Sequence, residues 1–271
     1  MLTVFYNHIT EAMKQEGMSL AEVAGIIREH GITGVEIDYR DLNPTGGHFN
    51  KDLADELKSV GLPIYGVYVF YDWGRHPLDQ SYKRIYRELR SIDVHNSLAI
   101  PGMIPEGANR AKYINRMKKT LMRAVRYANE NGIRVLMEDF DGVEAPFSTS
   151  QGMLEFFNYI PELKCAFDTG NFYYSDEDAL KVLPLFKGRI EYVHLKDRSL
   201  TINPGETPKK TISGVDMYST AVGKGIIPIR RLIKELRDMG YEGDYALEHF
   251  GSLHQLKDMI DSADFVNSCL E

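Results

Sequence analysis

Eight short strand-like segments recur along this chain at nearly even intervals, and a longer helical pattern follows each of them. From the first segment to the seventh the strand starts lie about 31 residues apart, close to what one strand–helix–strand unit needs. This alternation predicts an α/β fold with a parallel sheet, either a closed barrel or a doubly wound sheet. The predicted strands are rich in Val, Ile, Tyr and Phe, and they are Leu2–His8, Gly34–Arg40, Ile64–Tyr71, Ser97–Pro101, Ile133–Phe140, Lys164–Asn171, Ile190–Lys196 and Asp244–Phe250.

The loops between the predicted elements favour the barrel over the doubly wound sheet. A nucleotide-binding doubly wound sheet carries a glycine-rich fingerprint after an early strand, and the sequence has neither that fingerprint nor a Walker-type loop. A length of 271 residues suits one barrel, and no linker or break in composition divides the chain. We therefore predict a (β/α)8 TIM barrel formed by a single domain over residues 1–271.

Two helices of the predicted outer layer have strong sequence signals. The first, Ser19–His30, begins with Ser19 as N-cap, has Glu22 three residues later and stops at Gly31. The second, Asn109–Glu130, places apolar residues at helical spacing. Its many Lys and Arg side chains are typical of a solvated outer face, which is the simpler alternative to an anionic partner.

One interval breaks the regular spacing. From Ile190 to Asp244 the strand starts are 54 residues apart, which leaves about 23 surplus residues around Ser199–Val222. The stretch contains two prolines and two glycines and is predicted to be a long loop after the seventh strand. A loop there lies at the C-terminal face of a barrel, and loops of this length are usually functional or mobile. The alternative is a surface insertion without a role, which proteins tolerate readily.

Composition and charge limit the partners of the chain. Its net charge of −7 argues against broad nucleic-acid binding, which depends on neutralising phosphates. No apolar run reaches the roughly 18 residues that a membrane helix needs, and the first residues lack the pattern of a secretory signal. The two cysteines, Cys165 and Cys269, suggest neither a disulfide framework nor a metal pair. We expect a cytoplasmic protein with no membrane and no nucleic-acid partner.

Four predicted strands of the second half end in a polar residue: Glu138, Asp168, His194 and Glu248. Side chains alternate along a strand, so each polar residue shares the inward face with the residue two positions earlier. That places all four at the top of the barrel interior, where barrel enzymes carry out their chemistry. Three carboxylates and an imidazole suit Mn²⁺, Mg²⁺, Co²⁺ or Zn²⁺, and a cation removes the repulsion among buried carboxylates. The alternative interpretation is four independent ion pairs at strand ends. It is less favoured because all four residues occupy equivalent positions at the ends of their strands.

Several short motifs accompany these residues in a fixed order over essentially the whole chain. Together they resemble the xylose isomerase-like barrel superfamily of sugar isomerases and epimerases. The matching segments are Gly34-Val35-Glu36-Ile37, Met137-Glu138, Asp168-Thr169-Gly170-Asn171, Val193-His194-Leu195-Lys196-Asp197, Gly223-Lys224-Gly225, and Gly240-Tyr241-Glu242-Gly243 leading to Leu247-Glu248.

The resemblance implies a set of roles for these residues. Glu138, Asp168, His194 and Glu248 would be the metal ligands, and Glu138 and Glu248 would also be the acid–base pair. The implied enzyme is a metal-dependent isomerase or epimerase of a carbohydrate, a sugar or sugar phosphate, that transfers a proton through an enediolate. A hydride shift between adjacent carbons is the competing route, and the sequence does not separate the two. A homo-oligomer is compatible with the resemblance.

The chain departs from many epimerases of this family at one position. They have a substrate-binding histidine three residues after the Asp of the sixth strand, whereas this chain has Asn171. Asn can form a hydrogen bond with a substrate hydroxyl but cannot titrate. The departure leaves the predicted fold intact and puts a ketohexose 3-epimerase activity in doubt.

The candidate substrate-binding residues are Asn171, Lys196, Arg198, Tyr68 and Trp73. Lys196 lies two positions after His194 and so points to the same inward face, where it could hold a substrate oxygen or phosphate. The alternative interpretation of Lys196 is an exposed ion pair at the strand end. Tyr68 and Trp73 end the third strand with Tyr71 and could pack against a sugar, or could belong to the core or rim.

Other residues near the predicted site have weaker signals. Glu36 is expected to support the site from the second strand or to form a rim salt bridge. We interpret His249 as structural and Cys165 as a buried thiol, while His8 could reach the pocket. The glycines at 223, 225 and 251 could bind a phosphate after the last two strands, helped by the lysines at 209, 210 and 224; ordinary turn and capping chemistry is the alternative.

Three other functions use the same scaffold. A dehydratase of the dehydroshikimate type is compatible with the sequence. A non-catalytic sugar-binding barrel would be expected to lack one of the four ligands, and all four are present. An abasic-site endonuclease would need further histidines on the third and fourth strands, where this chain has Tyr68, Phe70 and Ile100, and a basic surface.

Overall fold

A computed structural model of the chain describes residues 1–44, 46–75, 78–142 and 144–271. Eight of its strands pair in parallel and close into a barrel, because β10 pairs both with β1 and with β7. The closed (β/α)8 barrel predicted from the strand spacing is therefore confirmed. The strands are β1 (Leu2–Phe5), β2 (Ile32–Asp38), β3 (Ile64–Tyr71), β4 (Asn96–Pro101), β5 (Arg134–Met137), β6 (Lys164–Asp168), β7 (Ile190–Ser199), β8 (Lys209–Lys210), β9 (Asp216–Thr220) and β10 (Asp244–Glu248).

Helices surround the barrel and connect its strands. Ser19 caps α2 through its side chain and forms the expected capping box with Glu22, and the Asn109 side chain caps α6. The helices are α1 (Tyr6–Glu16), α2 (Leu20–Glu29), α3 (Tyr39–Leu42), α4 (Lys51–Ser59), α5 (Tyr82–Arg90), α6 (Arg110–Glu130), α7 (Ser150–Tyr159), α8 (Asn171–Tyr174), α9 (Ala179–Val182), α10 (Ile229–Asp238) and α11 (Gln255–Leu270), with a 3₁₀ turn at Leu183–Phe186.

Several predicted strands are longer than the observed ones at their C-terminal ends. The first was expected to run to His8, but Phe5 is its last paired residue and Tyr6 begins α1. The fifth was expected to run to Phe140, but β5 ends at Met137. The residues after these strand ends are aromatic or acidic and resemble strand residues in sequence. They have no hydrogen-bonding partner on the neighbouring strand, so the observed strand ends before them. Beyond β5, Glu138 and Phe140 line the cavity at the barrel mouth.

The core has an outer and an inner part. The outer part lies between the strands and the helices. The inner cluster fills the barrel and comprises Phe5, Tyr68, Leu98, Ile100, Leu136, Ala166, Tyr192 and Ala246. It includes each residue that lies two positions before a predicted metal ligand, so the alternation along the strands holds. The inner cluster is the floor beneath the four polar side chains.

The surplus segment 199–222 was predicted to be a loop, and the structure corrects this in part. β7 continues to Ser199, and β9 pairs antiparallel with both β7 and β8, so the segment contains an ordered hairpin. The hairpin reaches across the barrel mouth, where Lys209 forms an ion pair with Asp141 at 2.5 Å. β7 extends beyond the barrel, and its backbone there forms antiparallel hydrogen bonds with β9, which in turn pairs with β8.

The described residues contain no helix that combines the length and the apolar composition of a membrane crossing.

Candidate active site

The four residues predicted to bind a metal lie together at the C-terminal mouth of the barrel. Glu138 follows β5, Asp168 ends β6, His194 lies in β7 and Glu248 ends β10. All four are buried, and one ligand atom from each lies within 4.8 Å of the others. Sequence positions up to 110 residues apart thus converge because parallel strands of a barrel end on the same face.

His194 is held between two carboxylates. Its Nδ1 lies 2.7 Å from Glu138 Oε2, and its Nε2 lies 3.1 Å from Glu36 Oε2. Burial alone would lower the pKa of this imidazole, but the carboxylates of Glu36 and Glu138 raise it well above its usual value. A proton on Nε2, directed at Glu36, leaves Nδ1 available to a cation among the other three ligands.

Asp168 has one oxygen engaged and one directed at the site. Its Oδ1 accepts hydrogen bonds from the amides of Gly170 and Asn171, each at 2.7 Å. Its Oδ2 is buried and has no hydrogen-bond partner among the described residues, although the Lys196 ammonium lies 3.3 Å away. A buried carboxylate oxygen without a hydrogen bond is costly unless something else neutralises it.

The donor set fits a divalent cation. Three carboxylates and one imidazole nitrogen supply the oxygen-rich set that Mn²⁺, Mg²⁺, Co²⁺ and Zn²⁺ accept. The buried Oδ2 of Asp168, which accepts no hydrogen bond from the described residues, is the observation that argues most directly for such an ion. Glu138, Asp168, His194 and Glu248 are the residues that would hold it.

Lys196 lies at the centre of the remaining polar contacts. Its Nζ contacts Glu248 Oε1 at 2.5 Å and Asn171 Oδ1 at 2.6 Å, in addition to Asp168. The opposite oxygen of Glu248, Oε2, lies 3.9 Å from His194 Nδ1. Glu248 therefore presents one oxygen to the ammonium and the other to the ligand cluster.

Two acidic groups of the cluster, Glu138 and Glu248, have raised pKa values. Burial raises the pKa of Glu248 to about 8, with the Asp168 and Glu138 charges adding to it and Lys196 opposing it. Burial also raises the pKa of Glu138, against the opposing effect of His194. The attraction of Asp168 and Glu248 outweighs burial and raises the pKa of Lys196. A pKa of about 8 suits the Glu248 carboxyl to exchange protons near neutral pH.

Asp139 is a buried acid that the sequence reasoning missed. Neither of its carboxylate oxygens has a hydrogen-bond partner among the described residues, and burial together with Asp168 and Glu138 raises its pKa well above the usual value. The sequence signal that could have identified Asp139 as a site residue is its position directly after Glu138 at the end of a predicted strand.

A cavity of about 190 Å³ opens above the cluster. Both apolar and polar side chains line it. Its apolar lining is Phe5, Tyr68, Phe70, Leu98, Ile100, Phe140 and Phe250, and its polar lining is Glu138, Asp141, Asn171, Lys196 and Glu248. Phe140, Asp141 and Phe250 were not among the predicted site residues, although they lie two to four residues beyond the ends of β5 and β10.

The structure brings some of the candidate substrate-binding residues to this cavity and not others. Tyr68, Asn171 and Lys196 line it. Arg198 is buried and donates to the Phe250 carbonyl at 3.1 Å, so it contacts the backbone of a cavity-lining residue and does not itself line the cavity. Trp73 is only 1% exposed and packs in the core against Tyr71.

Asn171 uses both ends of its side chain within the protein. Its Nδ2 donates to the Asp139 carbonyl at 2.8 Å, and its Oδ1 accepts from Lys196 at 2.6 Å. The amide thus connects the ends of β5 and β7 and holds the Lys196 ammonium in place.

Two buried histidines near the site each use one ring nitrogen in a hydrogen bond within the protein. The Nε2 atom of His8 accepts a hydrogen bond from the His249 amide, and His249 Nε2 pairs with Ser262 Oγ at 2.7 Å. Burial lowers the pKa of His8 well below its usual value and that of His249 to about 3. Cys165 is a buried free thiol.

The glycine segments considered for phosphate binding have other partners. The amides of Gly223 and Gly225 each donate to Asp197 Oδ2 at 2.9 Å. Lys224 forms an ion pair with Asp261, and Ser252 donates to Asp258. These glycine amides and the Lys224 charge thus have partners within the protein.

Comparison with known proteins identifies a family for most of the chain and a curated relative for part of it. The family model for xylose isomerase-like TIM barrels matches residues 24–269. Among curated proteins, inosose dehydratase of Clostridium perfringens strain 13 is 38% identical over 85 residues, which are 30% of this chain and 29% of that relative. The match therefore spans less than a third of the length of that protein.

Solved structures share the fold at low sequence identity. The IolI protein, crystallised with a zinc atom, superposes with a TM-score of 0.74 at 14% identity and covers 99% of this chain and 97% of its own. The probable 3-DHS dehydratase AsbF of Bacillus anthracis gives 0.70 at 15% identity, covering 95% and 97%. An L-ribulose 3-epimerase gives 0.68 at 17%, covering 90% and 86%.

Proposed function

The chain belongs to the xylose isomerase-like TIM barrel family, and from that premise we propose that it is a divalent-metal-dependent isomerase or epimerase of a sugar or sugar derivative. The reaction transfers a proton through an enediolate. One observation carries the proposal: two buried carboxylates, Glu138 and Glu248, flank His194 Nδ1 at 2.7 and 3.9 Å and line the same cavity.

Each residue of the site has its own role in the proposed reaction. Glu138 and Glu248 reach the cavity from opposite strands of the cluster, so one removes a carbon-bound proton and the other returns a proton. Burial raises the pKa of both carboxyls, and that of Glu248, about 8, allows both of its protonation states near neutral pH. Lys196 donates a hydrogen bond to a substrate oxygen. When bound by the four ligands, a divalent cation supplies Lewis acidity that stabilises negative charge on substrate oxygens.

A dehydratase is the second candidate. The supporting observation is the 85-residue likeness to inosose dehydratase. Proton abstraction beside a carbonyl would use the same carboxylates, and the difference is that a neighbouring hydroxyl then leaves as water. Both outcomes would use the cavity that Glu138, Lys196 and Glu248 line.

Hydrogen exchange with solvent tests the proposal. The protein is loaded with Mg²⁺ or Zn²⁺, incubated in D₂O with a panel of aldoses, ketoses, cyclic polyhydroxy ketones and their phosphates, and followed by NMR and mass spectrometry. We expect deuterium to enter at the carbon beside the carbonyl of the true substrate, with a product of unchanged composition. Conversion without deuterium uptake supports a hydride shift and contradicts the proton-transfer route. A product that lacks one water identifies the dehydratase.

Metal content provides an independent check. We expect one divalent ion per chain by elemental analysis and loss of turnover after chelation. A metal-free protein that still turns over its substrate would contradict the ligand assignment.

A further inference from the structure

Helices α5 and α6 carry a charge opposite to that of the rest of the chain. They hold 11 of the 32 Lys and Arg residues but only two of the 39 Asp and Glu residues, Glu88 and Glu130. The two helices therefore have a net charge of +9, whereas the remaining residues have one of −16. An acidic protein thus carries one strongly basic surface in the outer layer of its barrel.

Five of these cations form a continuous ridge along α6. They follow one another four and three residues apart in turn, on the side of the helix opposite its buried residues. With a rise of about 1.5 Å per residue, the ridge is about 21 Å long. Four of its members are exposed and the second is half-buried. The α6 ridge consists of Lys112, Arg116, Lys119, Arg123 and Arg126.

The neighbouring helix α5 widens the basic surface. The Nζ atom of Lys83 lies 5.4 Å from the centre of the Tyr127 ring on α6, so this ammonium lies beside the ridge. Arg87, one turn later on α5, donates from Nε to the Lys83 carbonyl at 3.2 Å. The surface is therefore broader than a single helix.

Neighbouring charges along the ridge repel one another. Lys112 lies four residues before Arg116, and like charges at that spacing destabilise a helix. Lys119 and Arg123 repeat the arrangement. The first three members of the ridge form no ion pair with any residue that the structure describes. The helix loses stability through this repulsion, and an anion along the ridge would restore it.

The outer helix α10 shows how charges are balanced on a solvated face. Arg231 has Glu235 four residues later, with 3.7 Å between the charged groups. Lys234 has Asp238 at the same spacing, at 2.5 Å. Such pairs stabilise a helix, whereas α6, all of which the structure describes, has none. Exposure to solvent alone therefore does not account for the α6 ridge.

The chemistry of the surface favours an acidic polypeptide over other anions. Proteins that bind single-stranded nucleic acid stack the bases on exposed aromatic rings. The aromatic side chains of α5 and α6 are instead buried or, for Tyr127, half-buried beneath Lys83. A membrane or a long nucleic acid would also approach the acidic remainder of the chain, which repels it, whereas a short acidic segment contacts the ridge alone.

A second copy of the chain is a poor partner for this surface. A symmetric dimer places the same face of both subunits in contact, so that each α6 ridge would meet another ridge of the same charge. The repulsion between the ridges opposes such a dimer.

We propose that the α6 ridge, together with Lys83 and Arg87, is a docking surface for an acidic segment of a partner protein. About six or seven extended residues span the length of the ridge. Carboxylates of the segment pair with the exposed ammonium and guanidinium groups, and the planar arginine side chains can bind a carboxylate through two hydrogen bonds.

Binding of a fluorescently labelled octaglutamate peptide to the full-length protein tests the proposal. We expect fluorescence anisotropy to show binding at about 50 mM NaCl that weakens at least about tenfold at about 300 mM, because salt screens exposed charges. An octaglutamine peptide should not bind. Absence of octaglutamate binding at the lower salt concentration, or equal binding of both peptides, overturns the proposal.

Charge reversal locates the surface. Lys119→Glu combined with Arg123→Glu changes two exposed side chains at the centre of the ridge, and we expect the affinity for octaglutamate to fall at least about tenfold. The control combines Lys14→Glu with Lys187→Glu, two exposed positions outside α5 and α6, and changes the net charge equally. It should bind like the wild type. An equal loss of affinity in both variants overturns the proposal, because only net charge would then matter.

A milder variant and two competitors complete the test. Lys119→Gln removes one charge without reversing it and should weaken binding about threefold, so it replaces the double variant if that protein does not fold. Tighter binding of oligothymidylate or of phosphatidylserine vesicles than of octaglutamate would assign the surface to a nucleic acid or a membrane and overturn the proposal.

Discussion

Glu36 fixes the ring of His194 from the side opposite the other ligands. Its Oε2 lies 3.1 Å from Nε2, and both side chains are almost fully buried. A carboxylate on one imidazole nitrogen fixes the tautomer, so the other nitrogen keeps its lone pair for a metal.

Glu36→Gln tests this relationship. The amide oxygen can still accept from Nε2 but has lost its charge, so we expect metal affinity to fall about 10–100-fold. Metal titration by calorimetry measures it, and Glu155→Gln on the surface serves as the control. Unchanged affinity would show that His194 does not depend on Glu36.

Lys196→Met should destabilise the metal-free protein more than the loaded one. Without the ammonium, Asp168 and Glu248 lose their shared cation, which costs about 3–5 kcal/mol for a buried charge left unpaired. Metal affinity should rise, because the cation no longer meets a neighbouring positive charge.

Urea unfolding with chelator and with saturating metal measures both effects. Lys209→Met, which removes a half-exposed ion pair, should cost less than about 1 kcal/mol in either condition. An equal loss of stability by Lys196→Met in both conditions would argue against a shared site for the ammonium and the metal.

Asn171→Ala should impair turnover while leaving metal affinity close to that of the wild type. It removes the acceptor that holds Lys196 Nζ, and a hydrogen bond to a charged group contributes roughly 1.5–3 kcal/mol. We expect kcat to fall at least about tenfold. The control is Asn267→Ala, which removes a bond to the His30 carbonyl far from the site; a matching loss there would indicate a general structural effect.

Metal affinity should increase with pH between 6 and 8. The raised pKa values of His194 and of Glu248, the latter about 8, mean that the metal-free site retains protons in this range. Binding must expel them, so affinity is weak below these pKa values and rises as the protons leave, by up to about tenfold per pH unit for each proton. Titrations in buffers of different ionisation enthalpy count the released protons, and release of none would contradict the assignment.

Glu248→Gln should remove turnover and keep the fold. Glutamine has nearly the same volume but cannot transfer a proton, so we expect a loss of about 10²–10⁴-fold. Circular dichroism and unfolding check the fold, and the exposed Glu242→Gln before the same strand is the control. Full activity of Glu248→Gln on the true substrate would refute its acid–base role.

The strand spacing and the strand-end residues were sufficient to predict the barrel and the metal-site candidates. Alternation along a strand is a local property, so it placed Glu138, Asp168, His194 and Glu248 on the inner face before any contact was known. The surplus length after His194 was also visible, but the β8–β9 hairpin was not, because its pairing depends on where β7 extends beyond the barrel.

What each polar atom faces was decided only by the tertiary structure. Asn171 looked like a substrate ligand, yet its amide is taken up by Asp139 and Lys196. The amides of Gly223 and Gly225 looked suited to phosphate, yet they hold Asp197. Sequence periodicity determines which face a side chain occupies, whereas partners far apart in the chain meet only when the barrel closes and positions both strands.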